Sequence, residues 1–339
     1  MSPRSLGPFT VSSIGLGCMN LSHAYGHPPD APQAQAVLHA ALDAGVTLFD
    51  TAALYGFGAN EERIGPVLAP HRNRITLCSK GGMAGVAGDD GVLRRVIDGS
   101  PQALRRNCED SLRRLGTEVI DLYYLHRWDK RVPIEESVGE MARLQQEGKI
   151  RALGLSEVSA DTLRRAHAEH PIAALQSEYS LWSRNAELGT LAACQELGIA
   201  YVAFSPVGRA FLTGKLQEVG SLVKGDIRTA MPRFAPEAYA RNLRLLAPMQ
   251  TLADQVGCTL AQLAIAWVLH QGSHVIALPG TTRVDHLQED VLGGALQLDA
   301  NVLSALDALF KPEVIAGDRY APQGQGEVDT EKYAFEKKG

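Results

Sequence analysis

The sequence predicts a single parallel (β/α)8 barrel, the TIM-barrel class of α/β fold. A short β-hairpin is expected before its first strand and a long loop after its seventh. Three observations predict it. Short apolar runs alternate with longer amphipathic stretches along all 339 residues. The runs are continuously apolar, as parallel strands buried on both faces are. No glycine-rich turn follows the first run, as an open doubly wound sheet usually has.

The runs are Ser13–Gly17, Thr47–Thr51, Arg74–Lys80, Val119–His126, Arg151–Ser156, Ala173–Glu178, Ala200–Ser205 and Val275–Pro279. Between them, Gln33–Ala44 places Val37, Leu38, Ala41 and Leu42 on one face and stops at Gly45, a glycine suited to the left-handed C′ position. Pro101–Leu115 stops at Gly116, Pro133–Glu147 at Gly148, and Ser159–His170 before Pro171. Ala186–Leu197, Glu237–Val256, Leu260–Leu269, Val284–Val291 and Val302–Phe310 complete the set. Leu6–Thr10 reads as a hairpin plugging the barrel bottom. Leu216–Pro236 reads as a lid or binding loop, since so long a loop in a compact domain is usually functional. Residues 1–339 are expected to form one domain, with a core at about 11–310 and a polar tail at 311–339.

Composition removes several function classes. Lys+Arg 33 against Asp+Glu 38 leaves −5, with no basic block to track a nucleic acid or an anionic membrane. The five cysteines are scattered and form no CxxC, so a disulfide framework or zinc site is not indicated and a reducing, cytoplasmic setting is expected. No run reaches the roughly 18 apolar residues of a spanning helix, and the N-terminus lacks a signal-peptide core.

In such barrels chemistry sits at the C-terminal ends of the strands. The second strand ends in Phe-Asp50-Thr-Ala-Ala-Leu-Tyr55-Gly56, the third in Cys-Ser-Lys80-Gly81, the fourth in Asp121-Leu-Tyr-Tyr-Leu-His126. Taken singly, Asp50 is an ordinary loop carboxylate, Tyr55 a loop aromatic, Lys80 a surface cation and His126 a core histidine. Together they place a carboxylate, a phenol, an ammonium and an imidazole at one end of three successive strands. A tyrosine pKa near 10 is high for a proton donor at neutral pH. A neighbouring ammonium lowers it, a carboxylate holds the ammonium, and an imidazole orients the substrate oxygen. Such a set protonates a carbonyl that receives a hydride from elsewhere.

The tetrad Asp50, Tyr55, Lys80 and His126, with Phe49-Asp-Thr-Ala-Ala-Leu-Tyr55-Gly, Gly154-Leu-Ser156 and Leu278-Pro-Gly280, resembles the aldo-keto reductase superfamily. The likeness runs from Gly15-Leu-Gly-Cys-Met19 to about Leu309. Gly154-Leu-Ser-Glu-Val158 and Gln176-Ser-Glu-Tyr-Ser-Leu-Trp182 are similar to the microbial and plant branch containing pyridoxal reductases and broad aldehyde/ketone reductases. The resemblance implies Tyr55 as general acid, Lys80 as its pKa modulator, Asp50 as the lysine's partner and His126 as the carbonyl-orienting residue.

The loops after the last two strands suit a phosphate. Arg283, beside the start of a helix, fits a 2′-phosphate, which leans towards NADPH (NADP+) over NADH. The resemblance implies Ser156 and Gln176 on the nicotinamide carboxamide and Phe204 stacked on its ring. It places Ser205, Val207 and Arg209 along the pyrophosphate with Lys215 adding charge, and Gly280, Thr281, Arg283 and Glu289 around the adenosine phosphate. The chain departs from the pattern at Glu157, where many relatives have Asn, and at Asp290 and His286. For the carbonyl substrate, Asn20, Tyr25, Trp128, Arg127 and Trp182 are candidate pocket walls on strand-end loops.

The expected function is NADPH-dependent reduction of an aldehyde or ketone. The alternative is an NADP(H)-binding interaction module resembling potassium-channel β subunits, against which the complete tetrad argues. A metal-assisted hydrolase would need a His/carboxylate cluster such as His-x-His after the first strand, and no metal is expected. No nucleic-acid or membrane partner is expected, and oligomeric state and substrate identity are left open.

Overall fold

Continuous apolar runs become strands here because both faces of each are covered by protein. The computed structural model describes residues 1–336; residues 337–339 of the expected tail lie outside the described residues. In chain order, β1 (Pro3–Leu6) and β2 (Phe9–Ser12) form a hairpin, followed by β3 (Leu16–Gly17), β4 (Leu48–Asp50) and β5 (Thr76–Gly81). A second hairpin, β6 (Met83–Ala87) and β7 (Leu93–Ile97), precedes β8 (Ile120–Leu125), β9 (Ile150–Ser156), β10 (Ile172–Glu178), β11 (Ala200–Phe204) and β12 (Val275–Leu278). The main sheet has eight strands in the order β12-β11-β10-β9-β8-β5-β4-β3. Its ends meet: Ile14 bridges Ala277, and the Gly17 N–H donates to Pro279 O at 2.8 Å. Closure leaves this eight-stranded sheet without a free edge.

The helices are α1 (Ala31–Asp43), α2 (Ala59–Leu68), α3 (Pro101–Leu115), α4 (Ile134–Gln146), α5 (Ala160–Glu169) and α6 (Thr190–Leu197). They continue with α7 (Pro236–Leu243), α8 (Leu246–Val256), α9 (Leu260–Leu269), α10 (Val284–Gly293), α11 (Ala300–Leu309) and α12 (Pro322–Gly326). Their ends follow local chemistry. Ser100 caps α3 by accepting from Ala103 N, Pro101 opens it, and Gly116 closes it in the left-handed conformation. Thr259 and Gln262 form a capping box at α9.

The apolar faces bury against two cores. Leu48, Cys78, Leu122, Tyr124, Val202 and Ile276 fill the barrel interior, together with Leu6 and Val11 of the first hairpin. The hairpin therefore plugs the bottom, as expected. Its turn needs Gly7, at φ +52°, because a Cβ there would lie 2.6 Å from Ala173 Cβ at the start of β10. Val37, Leu104, Cys108, Val138, Met141 and Leu144 pack the helices onto the outside of the sheet.

Several expectations change. The apolar pattern does not predict α2, because Glu61 and Glu62 and the internal Pro66 interrupt it. The stretch Ala186–Leu197 divides at Gly189, and Glu237–Val256 divides between α7 and α8. The pattern does not predict the hairpin β6–β7, whose second strand is mostly exposed. Leu216–Pro236 is a succession of 3-10 turns tied down by the Ile227 N–H donating to Ala24 O and the Gly26 N–H to Asp226 Oδ2. The segment after Lys311 is not a free polar tail. Arg319 is buried, Tyr320 lines the cleft above the barrel, and Asp329 accepts from Ser159 and Thr162 at the start of α5.

Among the described residues no single helix is long and apolar enough to cross a membrane. Among the same residues, no group of three or more His, Cys, Asp or Glu side chains is placed to hold a metal ion.

Candidate active site

The strand ends bring the tetrad together at the top of the barrel. Lys80, wholly buried near the end of β5, directs its ammonium to Asp50 at the end of β4, to Thr51 O at 2.9 Å and to Tyr55 Oη at 3.1 Å. The second Asp50 oxygen accepts from Gln176 Nε2 at 2.8 Å. His126, just past β8, donates its backbone N–H to Gly81 O and meets the Tyr55 ring edge-on, with centroids 5.7 Å apart. Its Nδ1 is buried without a hydrogen-bond partner among the described residues.

Burial sets the protonation states as much as charge does. Burial works against the Lys80 charge, but Asp50 and Tyr55 outweigh it and hold the ammonium above the ordinary lysine value. Burial pushes the Asp50 carboxyl up, with Lys80 and Gln176 opposing. For Tyr55 the sequence expectation needs a correction. Lys80 does pull the phenol down, but burial outweighs it and the net direction is up. Burial, with Lys80 and the neighbouring arginines, holds His126 well below the usual imidazole value, so the ring is neutral.

One cleft of ≈ 670 Å³ runs from Asp50, Tyr55 and His126 to Lys215, Glu289 and Asp290. That is within the range of small-molecule and cofactor sites. Ser156, Gln176, Phe204, Ser205, Val207, Arg209, Gly280, Thr281, Asn20 and Tyr25 line it. Gly280 is required by close approach, since a Cβ there would lie 2.8 Å from Gly17 O. The loop after β11 curls sharply: Ser205, Arg209 and Ala210 all take left-handed φ values of 54–75°.

Other expected residues fall elsewhere. Trp182 is buried, stacks on Phe211 at 4.1 Å between centroids, and faces a separate cavity of ≈ 220 Å³. Trp128 packs against the helical layer and donates its indole N–H to Val132 O. Neither lines the cleft. Arg283 is outside the cleft lining and paired with Asp285 at 2.7 Å on the surface. Arg209 is engaged by Glu178 at 3.0 Å, Tyr25 Oη at 2.8 Å and Tyr320 Oη at 3.2 Å.

The sequence reading missed Met83, Arg95, Arg228 and Tyr320 as cleft residues. The only signal for Tyr320 was an aromatic residue within a polar stretch.

A family model described as aldo/keto reductase family matches residues 13–311. The chain belongs to the aldo/keto reductase family. This aldo/keto reductase is 32% identical to the glycerol dehydrogenase AKR11B4 from Gluconobacter oxydans, with a TM-score of 0.82 over 94% of this chain and 97% of that one. It is 27% identical to the aldo-keto reductase AKR11C1 from Bacillus halodurans in its holo form, with a TM-score of 0.75 over 92% and 97% of the two chains. A thermostable aldo-keto reductase in complex with the inhibitor epalrestat matches at 26% identity and a TM-score of 0.71, over 91% and 100%.

Aldo/keto reductases generally bind NAD(P)H, and the cleft of this reductase fits such a cofactor. Its far end holds the Lys215 ammonium and the start of α10, whose first-turn N–H groups have no side-chain cap. Free N–H groups at a helix start favour an anion.

Proposed function

We propose that this aldo-keto reductase uses NADPH to reduce an aldehyde or ketone to the alcohol. The observation that supports this most directly is the Asp50–Lys80–Tyr55 chain of contacts opening, beside a neutral His126, into a single long cleft. When bound, the cofactor supplies the hydride that reaches the carbonyl carbon. Tyr55 donates its proton to the carbonyl oxygen, and the Lys80 ammonium 3.1 Å away stabilises the phenolate that remains. Asp50 keeps Lys80 charged and in place, and Gln176 fixes the other Asp50 oxygen. His126, neutral and with limited partners of its own, donates an N–H to the same oxygen and orients it.

Ser156 and Gln176 would hold the carboxamide, Phe204 the ring face, and Ser205, Val207 and Arg209 the pyrophosphate. Lys215, Gly280, Thr281, Arg283 and Glu289 would surround the adenosine phosphate. NADPH rather than NADH is favoured by Lys215 on the lining and by Arg283, which needs only to exchange Asp285 for a phosphate. The free thiols, most of them buried, accord with a cytoplasmic protein.

The test is NADPH and NADH oxidation at 340 nm against pyridoxal, aromatic aldehydes, a diketone, a quinone and a bulky alicyclic ketone, with Tyr55→Phe alongside. Turnover that collapses in Tyr55→Phe supports the reading. Cofactor binding without turnover of any carbonyl would favour the interaction-module alternative, and absence of binding would overturn both.

A further inference from the structure

The lysines and arginines that line the cleft differ in how their charge is met. Arg95 faces Glu327, Arg209 faces Glu178, Lys215 faces Glu289 and Arg228 faces Asp226. Arg127 lines the same cleft, yet among the described residues no carboxylate lies within 4.0 Å of its guanidinium. Its Nη1 donates to His126 O at 2.7 Å and to Ser156 Oγ at 3.1 Å. Those two bonds hold the group in place, but both acceptors are neutral. The rest of its five-donor fork has no protein acceptor among the described residues.

A half-buried guanidinium fixed in place without a counter-charge is prepared for an anion that arrives from outside. Its planar fork matches a carboxylate with two parallel charge-assisted bonds. Its location says which anion. Arg127 follows His126 in the chain and is bonded to that residue's carbonyl, so it sits beside the group that orients the reacting oxygen. The cofactor's phosphates would lie towards Lys215, at the far end of the cleft. Met19, Leu54, Met83 and Met231 supply apolar wall for a carbon skeleton.

We propose that Arg127 is a specificity-determining residue that binds a carboxylate on the substrate, and that the preferred substrates are oxo acids with the anion a few bonds from the reducible C=O. This rests on the reductase reading above.

The test compares 4-carboxybenzaldehyde with its uncharged methyl ester, and succinic semialdehyde with butanal, using the wild type, Arg127→Met and Arg127→Lys. Benzoate, which cannot be reduced, is titrated by calorimetry as a probe of the anion site alone. A charge-assisted contact of this kind predicts a preference in kcat/KM for the acids of roughly 10- to 100-fold, carried mainly by KM. Arg127→Met removes the preference and the benzoate binding, and Arg127→Lys restores part of each. Equal turnover of acid and ester by the wild type overturns the proposal while leaving the reductase reading intact. So does a preference that survives in Arg127→Met. Benzoate binding that depends on Arg127, with no carbonyl reduced by any form, upholds the anion site and overturns the reductase reading instead.

Discussion

The Arg319 guanidinium and the Glu157 carboxylate form an ion pair inside the protein, with side-chain exposures of 3% and 0%. Glu157 follows Ser156 at the end of β9 and takes a left-handed φ of +55°, a strained conformation for a residue with a Cβ. Its other oxygen accepts from the Glu178 N–H at 2.8 Å. The carboxylate is thus engaged with the neighbouring strand and the C-terminal segment, and it is absent from the cleft lining. Arg319 in turn places Tyr320, whose hydroxyl lies 3.2 Å from Glu178.

Removing Arg319 leaves Glu157 buried without a counter-charge. Arg319→Met is expected to destabilise the fold by about 3–5 kcal/mol in urea denaturation. Adding Glu157→Gln recovers most of that loss, because the cost lies in the orphaned charge. An unchanged midpoint in Arg319→Met would show that the pair contributes nothing.

Tyr55→Phe keeps the ring and removes the proton. We expect kcat to fall by roughly 10²–10⁴-fold with cofactor binding retained, measured by stopped-flow and fluorescence titration. Burial raises the phenol, so the donor stays protonated through neutral pH and reduction declines only above the ordinary tyrosine value of about 10. Lys80 opposes that rise, so Lys80→Met moves the alkaline limb upward while lowering kcat. A limb that stays in place would separate Lys80 from the proton transfer.

Burial, with Glu289 adjacent, pushes the Asp290 carboxyl up to about 8. The folded protein then keeps a proton that the unfolded chain releases near pH 4, so stability falls as pH rises from about 4 through 8. Asp290→Asn removes this loss. It should match the wild type near pH 4 and exceed it at pH 8 by about 5 kcal/mol, read as a thermal midpoint against pH. Parallel curves for the two proteins would contradict the shift.

Arg283 is free to leave Asp285, since both side chains are more than half exposed. Arg283→Met is expected to weaken NADPH roughly tenfold while changing NADH little, by fluorescence titration. Equal weakening of both cofactors would place Arg283 away from the 2′-phosphate.

The barrel and the tetrad were legible because both depend on local pattern. Eight buried parallel strands must be written as apolar runs, and Asp50, Lys80 and His126 each lie at or near the end of one. Strand ends in a closed barrel converge, so position along the chain already implied proximity. Tyr55 was legible for the same reason, a few residues beyond its strand.

What pattern could not show was which way side chains turn and what distant chain returns to meet them. Trp182 and Trp128 sit on strand-end loops like true pocket residues, and only packing against Phe211 and the helical layer turned them away from the cleft. Arg319 is 162 residues from Glu157, and nothing near either predicts the other. The net rise of the Tyr55 phenol likewise depends on burial, a property of the whole fold. Periodicity acts between neighbours in sequence, and the tertiary structure alone decides which charges are buried, which are paired, and that Arg127 meets no carboxylate among the described residues.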